Sequence, residues 1–149
     1  MAGQSLNQGK HLATLLVRAF RWFEQGLAAD PATSHLPRLS GSQFMTLVSL
    51  DADGTSISEL ARRVGVTRQA MHQMIGELER SALVETANSP SDGRIKLVRL
   101  SLLGRTLDEK AAAALSRLEA GLKDEIGSDQ TEALHDALSS DWGPPPGTG

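Results

Sequence analysis

Between Ile57 and Gly76 the chain reads ISELARRVGVTRQAMHQMIG, and no other stretch constrains its fold as strongly. Leu60, Val64, Val66, Met71 and Met74 recur at spacings that put them on the inner faces of two crossing helices. Ala61 is small where those helices would come closest. Gly65 stands where the first helix must stop and the chain must turn, a place for a residue that tolerates positive φ. Thr67 comes next but one, with a hydroxyl able to cap the second helix. The outer face keeps Thr67, Arg68, Gln69, His72 and Gln73, every one polar. This is the pattern of a helix-turn-helix, whose second helix fits the major groove of double-stranded DNA, where Arg and Gln are suited to reading base edges. The competing reading is an amphipathic helix pair in some other all-helical core, which would need several independent positions to agree by accident.

The segment after the helix pair extends the pattern. Leu83 to Ala87 and Ile95 to Leu100 are rich in β-formers, and the NSPSDGR between them is full of turn residues. A helix-turn-helix leading directly into a hairpin is a winged helix, with the hairpin as the wing. Upstream, Leu12, Leu16, Ala19/Phe20, Phe23 and Leu27 predict a first helix over about residues 6–28. Ser40 and Gln43 make a capping-box spacing before a second helix carrying Phe44, Leu47, Val48 and Leu50. Asp51 to Gly54 closes it, Thr55 to Ile57 suits a short strand, and Ser56 with Glu59 offers another capping box. The recognition helix should run from about Arg68 to Arg80. Downstream, Ser101 can cap a long helix in which Leu103, Leu107, Ala111, Ala114, Leu118, Leu122 and Ile126 step by three or four until Gly127. That helix would be roughly 35–38 Å long, more than a small winged helix can cover. A last helix is expected from Asp129 to about Leu138, capped by Ser128, and GPPPGTG from Gly143 reads as a disordered tail.

The expected fold is therefore mainly α with a small β-hairpin wing, in one domain over residues 1–142. The winged helix-turn-helix would occupy about 40–101, flanked by helical segments at about 6–39 and 102–142, with the tail at 143–149. Those flanks have more apolar face than a small domain buries, so self-association into a homodimer is the natural outlet.

Composition narrows the chemistry. The chain has no Cys, which removes disulfides, thiolate metal sites, cysteine nucleophiles and thiol redox sensing together. It fits a reducing cytosol, and the apolar run Leu12 to Val17 is too short for export or for a membrane span, so a cytoplasmic protein is expected. The net charge of −3 argues against a nucleic-acid partner until its distribution is read. Ser58 to Arg105 carries eight Lys/Arg against five Asp/Glu, whereas Thr106 to the end carries three against nine. The basic part coincides with the helix-turn-helix.

On the segments SELARRVGVTRQAMHQMIGELERSALVE from Ser58 and SDGRIKLVRLSLLGRTL from Ser91, the chain resembles the MarR family of bacterial transcription regulators. Asp92, Arg94, Leu100, Ser101, Gly104 and Arg105 stand at the family's wing positions, with Ser101 in place of the usual Thr. The resemblance covers about residues 10–140. It implies a homodimer held by the N- and C-terminal helices, with two winged helices on a pseudo-palindromic DNA site, most often acting as a repressor. It also implies roles. Arg68, Gln69, His72 and Gln73 would specify sequence, Thr67 and Arg62 or Arg63 would contact phosphate, and Arg94 would enter the minor groove with Asp92 holding it. Gln73 departs from the family's frequent Arg and would suit adenine rather than guanine. His72 replaces a small hydroxyl residue; it either reads a base or phosphate or is simply solvated. Many members bind small aromatic or phenolic molecules, and Phe20, Trp22, Phe23, Phe44 and Met45 are the candidate lining here. The competing reading makes these residues core or interface.

Other chemistry finds little support. His11, His35, His72 and His135 form no pattern of metal-ligand spacing, so no metal or cofactor is expected. No glycine-rich phosphate loop and no nucleophile–base pattern is present, and the length leaves almost nothing for a catalytic domain, so the chain is not expected to be an enzyme. The alternative function is a winged-helix protein-interaction module without DNA binding; the polar, Arg- and Gln-bearing outer face argues against it.

Overall fold

The computed structural model of the chain describes residues 11–147. In chain order its elements are α1 (Leu12–Ala29), α2 (Gly41–Val48), β1 (Thr55–Ser56), α3 (Ile57–Val64), α4 (Arg68–Arg80), β2 (Val84–Asn88), β3 (Lys96–Leu100), α5 (Leu102–Ile126) and α6 (Ser128–Ser139). The chain is mainly α, with one antiparallel sheet in the order β1-β3-β2. The expected wing is β2 and β3, paired from Val84 with Leu100 to Asn88 with Lys96. The short β1 adds Thr55 opposite Val98 on the far side of β3. The start of the first helix expected at residues 6–10, and the last two residues of the tail, lie outside the described residues.

Residues 31–112 form one compact unit. Its core is Ile57, Leu60 and Ala61 from α3, Met71, Ile75 and Leu78 from α4, and Leu83, Val84 and Val98 from the wing. Leu60, Met71, Leu78 and Val98 are fully buried, so the two helices of the helix-turn-helix share one apolar interior with the base of the hairpin. Local chemistry sets the ends of these helices. Thr67 caps α4 by accepting from the Ala70 N–H at 3.1 Å. Ser40 and Gln43 form the full reciprocal capping box at α2. Gly65 ends α3 in the left-handed region, φ 75°, as its place in the sequence predicts.

The end of α4 is less ordinary. The Ala82 N–H donates to Glu79 O and the Leu83 N–H to Leu78 O, the paired bonds of a Schellman motif. Ala82 sits at its left-handed position, φ 57°, where Gly is the usual occupant. Ala82→Gly is therefore expected to stabilise the fold by about 0.5–1 kcal/mol, the left-handed penalty less the entropy that Gly loses on folding. A higher urea midpoint with unchanged slope would show it.

The first part of α5, to residue 112, belongs to the winged unit. Ser101 caps α5 by accepting from the Gly104 N–H at 2.8 Å, and its own N–H donates to Leu83 O at 3.0 Å. Gly104 lies so close to this carbonyl that a Cβ there would stand 2.0 Å from Leu83 O. Leu107 then packs against the core.

Described residues 11–30 and 113–147 form the other unit. Here α1 and α5 approach closely, since a Cβ on Gly26 would meet the Leu118 side chain at 2.5 Å. Arg117 on α5 forks onto the Asp30 carboxylate at the end of α1. Ala114 and Thr131 are buried, but α1 has no buried residue at all. Leu12, Leu15, Val17, Phe20 and Trp22 on α1, and Leu134 and Leu138 on α6, are exposed. Contrary to the expectation from sequence, Ser128 does not cap α6. The helix begins one residue earlier, with Gly127 at the N-cap position, φ 91°, and no side-chain cap bond.

Candidate nucleic-acid interface

The inner face of α4 is anchored by Met71, Ile75 and Leu78, three and four residues apart. The helical period then turns Arg68, Gln69, His72 and Gln73 outward, and all four are exposed. Among the described residues, Arg68, Gln69 and His72 make no hydrogen bond or ion pair, so their donors and acceptors are open to a partner. Thr67 stands exposed at the N-terminus of the same helix, where unpaired backbone N–H groups and the helix dipole favour an anion. This row presents Arg and Gln donors and acceptors along one side of a rigid helix.

The two arginines of α3 differ. Arg62 grips the Glu59 carboxylate through Nε, at 2.9 Å, and Nη2, yet its side chain is 73% exposed. Arg63 is committed on every nitrogen. Nη1 donates to Ser49 O at 2.7 Å and to Asp51 Oδ1 at 2.9 Å, Nη2 to Asp51 Oδ2 at 2.9 Å, and Nε to Glu59 Oε1 at 2.9 Å. It thus ties the turn after α2 to α3. The capping box expected at Ser56 and Glu59 is half made: the Glu59 N–H donates to Ser56 Oγ at 3.3 Å, while the Glu59 carboxylate turns to the arginines.

Hydrogen bonds from Arg62, then Arg63, hold the Glu59 carboxyl down to a pKa of about 2, from an ordinary 4.5. Asp51 is lowered too, first by its hydrogen bond from Arg63. A depressed folded-state pKa means that the contribution to stability is complete above about pH 4.5 and is lost as pH falls towards 2. Glu59→Gln should therefore melt below the parent protein at neutral pH, and the two melting curves should converge over that acid range. A constant gap would mean that the carboxylate is not the source.

The wing closes through Ser89, whose N–H donates to Ile95 O at 2.7 Å. Asp92 shapes the tip: its Oδ1 accepts from the Arg94 N–H at 3.0 Å and its carbonyl from the Ile95 N–H at 3.0 Å. Asp92 thus holds the backbone of Arg94 rather than its guanidinium. The Arg94 side chain is exposed and makes no hydrogen bond or ion pair among the described residues. On the strands, Arg99 pairs across the hairpin with Glu85 at 2.8 Å.

Phe20, Trp22 and Phe23 lie on α1 in the terminal unit; Phe44 and Met45 lie on α2 in the winged unit. Trp22 and Met45 are exposed, and Phe23 and Phe44 half-buried. Trp22 and Phe23 meet edge to face at 5.0 Å. Sequence reasoning read Asp51 only as part of a turn and Gln43 only as half of a capping box, and missed Glu77. Gln43 Nε2 donates to Glu77 Oε2 at 3.1 Å, a contact between residues 34 apart in the chain. Only the spacing of Gln73 and Glu77, one helical turn apart, could have hinted at the last of them. No helix among the described residues is long and apolar enough to cross a membrane.

Comparison with known proteins agrees with this architecture. The sequence model of the MarR family matches residues 39–95, the stretch from before α2 to the wing tip. An HTH-type transcriptional repressor of Mycobacterium tuberculosis is 37% identical over 98 residues, which cover 65% of this chain and 67% of that protein. The HTH-type transcriptional regulator YhbI of Bacillus subtilis is 27% identical over 99 residues, covering 66% of this chain but only 64% of that protein's length. Among solved structures, the transcriptional repressor CouR bound to a 23-mer DNA duplex superposes with a TM-score of 0.67 at 27% identity, over 91% of this chain and 94% of that one. CouR from Rhodococcus jostii RHA1 bound to p-coumaroyl-CoA shares the fold, with a TM-score of 0.62 at 23% identity over 90% of this chain and 93% of that one. The helix-turn-helix, the wing after it and these relatives together place the chain in the MarR family.

Proposed function

We propose that the protein is a cytoplasmic transcriptional regulator, a repressor, that binds a pseudo-palindromic site on double-stranded DNA as a homodimer. The observation that carries this is the outward row of Arg68, Gln69, His72 and Gln73 on a helix whose opposite face is buried. In this reading those four side chains meet base edges in the major groove. Thr67 and the exposed Arg62 meet phosphate. Arg63, with its nitrogens already engaged, positions α3 instead of touching DNA. Arg94 enters the minor groove from a tip whose backbone Asp92 holds.

The apolar side chains left exposed on α1 and α6 support the homodimer, since a second copy of the same surface would cover them. A small aromatic or phenolic effector is the proposed release signal, in keeping with the p-coumaroyl-CoA bound by CouR. Within the terminal unit its candidate contacts are Phe20, Trp22 and Phe23 on α1. Such a ligand acts by favouring a dimer whose recognition helices no longer match half-sites one helical turn apart.

The deciding experiment is fluorescence anisotropy on a labelled duplex from the protein's own upstream region, beside a scrambled duplex and over a range of salt. Sequence-dependent binding with a steep salt slope is expected. Equal, weak binding to both duplexes, followed by an empty selection from random duplexes, would instead favour a winged helix that binds protein.

A further inference from the structure

We infer that Gln43 and Glu77 form a relay that sets the rotamer and amide orientation of Gln73, and so determine which base that residue reads. The inference rests on the proposed DNA-reading role of α4. The relay starts on a main-chain donor. The Ser40 N–H donates to Gln43 Oε1 at 2.9 Å, as one half of the capping box of α2. This fixes which end of the Gln43 amide is oxygen, a matter usually left open for Gln side chains. The amide nitrogen must then face the other way, and there it donates to Glu77 Oε2 at 3.1 Å. The second oxygen, Glu77 Oε1, lies 3.4 Å from Gln73 Nε2. A carboxylate accepts and does not donate, so Gln73 also has only one orientation that satisfies it.

Polarity thus passes from the backbone N–H of the residue that caps α2, through two side chains, to an exposed amide on the recognition helix. Gln73 is left with its oxygen and one N–H free. That is the pair needed to accept from the N6 amino group and donate to N7 of adenine. The flipped amide would turn its oxygen towards Glu77 and lose the contact. Glu77 is half-buried and lines, with Ser40, Gln43, Ala70, Gln73 and Met74, a shallow cavity of about 220 Å³. It is therefore better sheltered than Gln73, as a positioning residue should be.

Three variants test the relay, with base preference measured by binding to duplexes randomised across the half-site. Gln73→Ala first marks the base pair that Gln73 reads. Glu77→Ala should reduce discrimination at that same pair by about fivefold, the low end of what one bidentate contact provides. It should leave the other pairs unchanged. Total affinity should hold or rise, because a carboxylate near the phosphates has been removed. Gln43→Glu keeps the acceptor for the Ser40 N–H but sets an oxygen against Glu77, and should relax the same pair while α2 stays capped. Glu77→Ala combined with Gln73→Ala should lose no more discrimination than Gln73→Ala alone.

Discrimination at the marked pair that survives Glu77→Ala would overturn the relay. So would a loss spread over all pairs with weaker total binding, since that is what a structural role predicts. A parent protein that binds every duplex alike would remove the DNA-reading role itself, and the relay with it.

Discussion

The Gly104→Ala protein is expected to lose about 3 kcal/mol or more of folding stability, which would lower its melting midpoint by roughly 10 °C. A single methyl does not ordinarily have this effect in a helix, where Ala is favoured over Gly by about 1 kcal/mol. The difference lies in the neighbour. The added Cβ would stand 2.0 Å from Leu83 O and 3.0 Å from Leu83 C, which are main-chain atoms. They cannot swing aside as a side chain can. Leu83 O already accepts from the Ser101 N–H at 3.0 Å, and the Leu83 N–H closes the Schellman motif of α4 on Leu78 O at 3.0 Å. Relief would require the start of α5 to lift off the base of the wing, opening the core around Leu83, Val84 and Leu107. Gly121, in the same helix, has nothing within 4 Å of such a Cβ, so Gly121→Ala serves as the control for helix propensity alone. A Gly104→Ala protein that melts with or above its parent would show that the close approach is not as drawn.

Arg94→Ala is expected to weaken binding to the specific duplex by at least about tenfold while leaving the melting curve unchanged. Its guanidinium is exposed and makes no hydrogen bond or ion pair among the described residues, so its removal should cost the fold little. The wing tip is held by Asp92 through the Arg94 main-chain N–H, which Ala retains. In the proposed homodimer two such arginines would be lost per complex. The log–log dependence of affinity on salt should then become shallower by about two. Anisotropy titrations at several salt concentrations measure both effects. Unchanged affinity and slope would remove the wing from the interface and leave α4 as the whole reading surface.

Features governed by short-range periodicity were legible in the sequence. Leu60 and Met71 are buried, and Val64, Val66 and Met74 half-buried, because residues three or four apart share a helix face, and that rule needs only a few neighbouring letters. The turn at Gly65, the cap at Thr67 and the capping box at Ser40 are equally local. Illegible were the partners chosen among several within reach. Glu59 had the right spacing to complete a capping box, but two guanidinium groups on the next turn outcompete one backbone N–H for its charge. The links of Arg63 to Asp51 and Ser49 O were not legible either, because they depend on how the turn after α2 folds back. The Gln43–Glu77 contact joins two helices, and nothing in the spacing of either one announces it. The extent of the compact unit over residues 31–112 is likewise set by contacts distant in sequence. Ser101 marks where α5 begins, whereas the unit's extent depends on what Gly104 and Leu107 touch.

The lack of any buried side chain on α1 bears on how the protein would respond to its own abundance. A helix only partly covered within its chain is stabilised by mass action when a second copy covers the rest, so in the proposed homodimer the order of the terminal unit would grow with the number of copies present. Where pairing is the limiting step, the amount of reading-competent dimer rises with the square of chain concentration. Halving synthesis would then cut site occupancy about fourfold at low abundance. Such a regulator behaves as a threshold device, nearly silent when dilute and abruptly effective once its copies begin to meet.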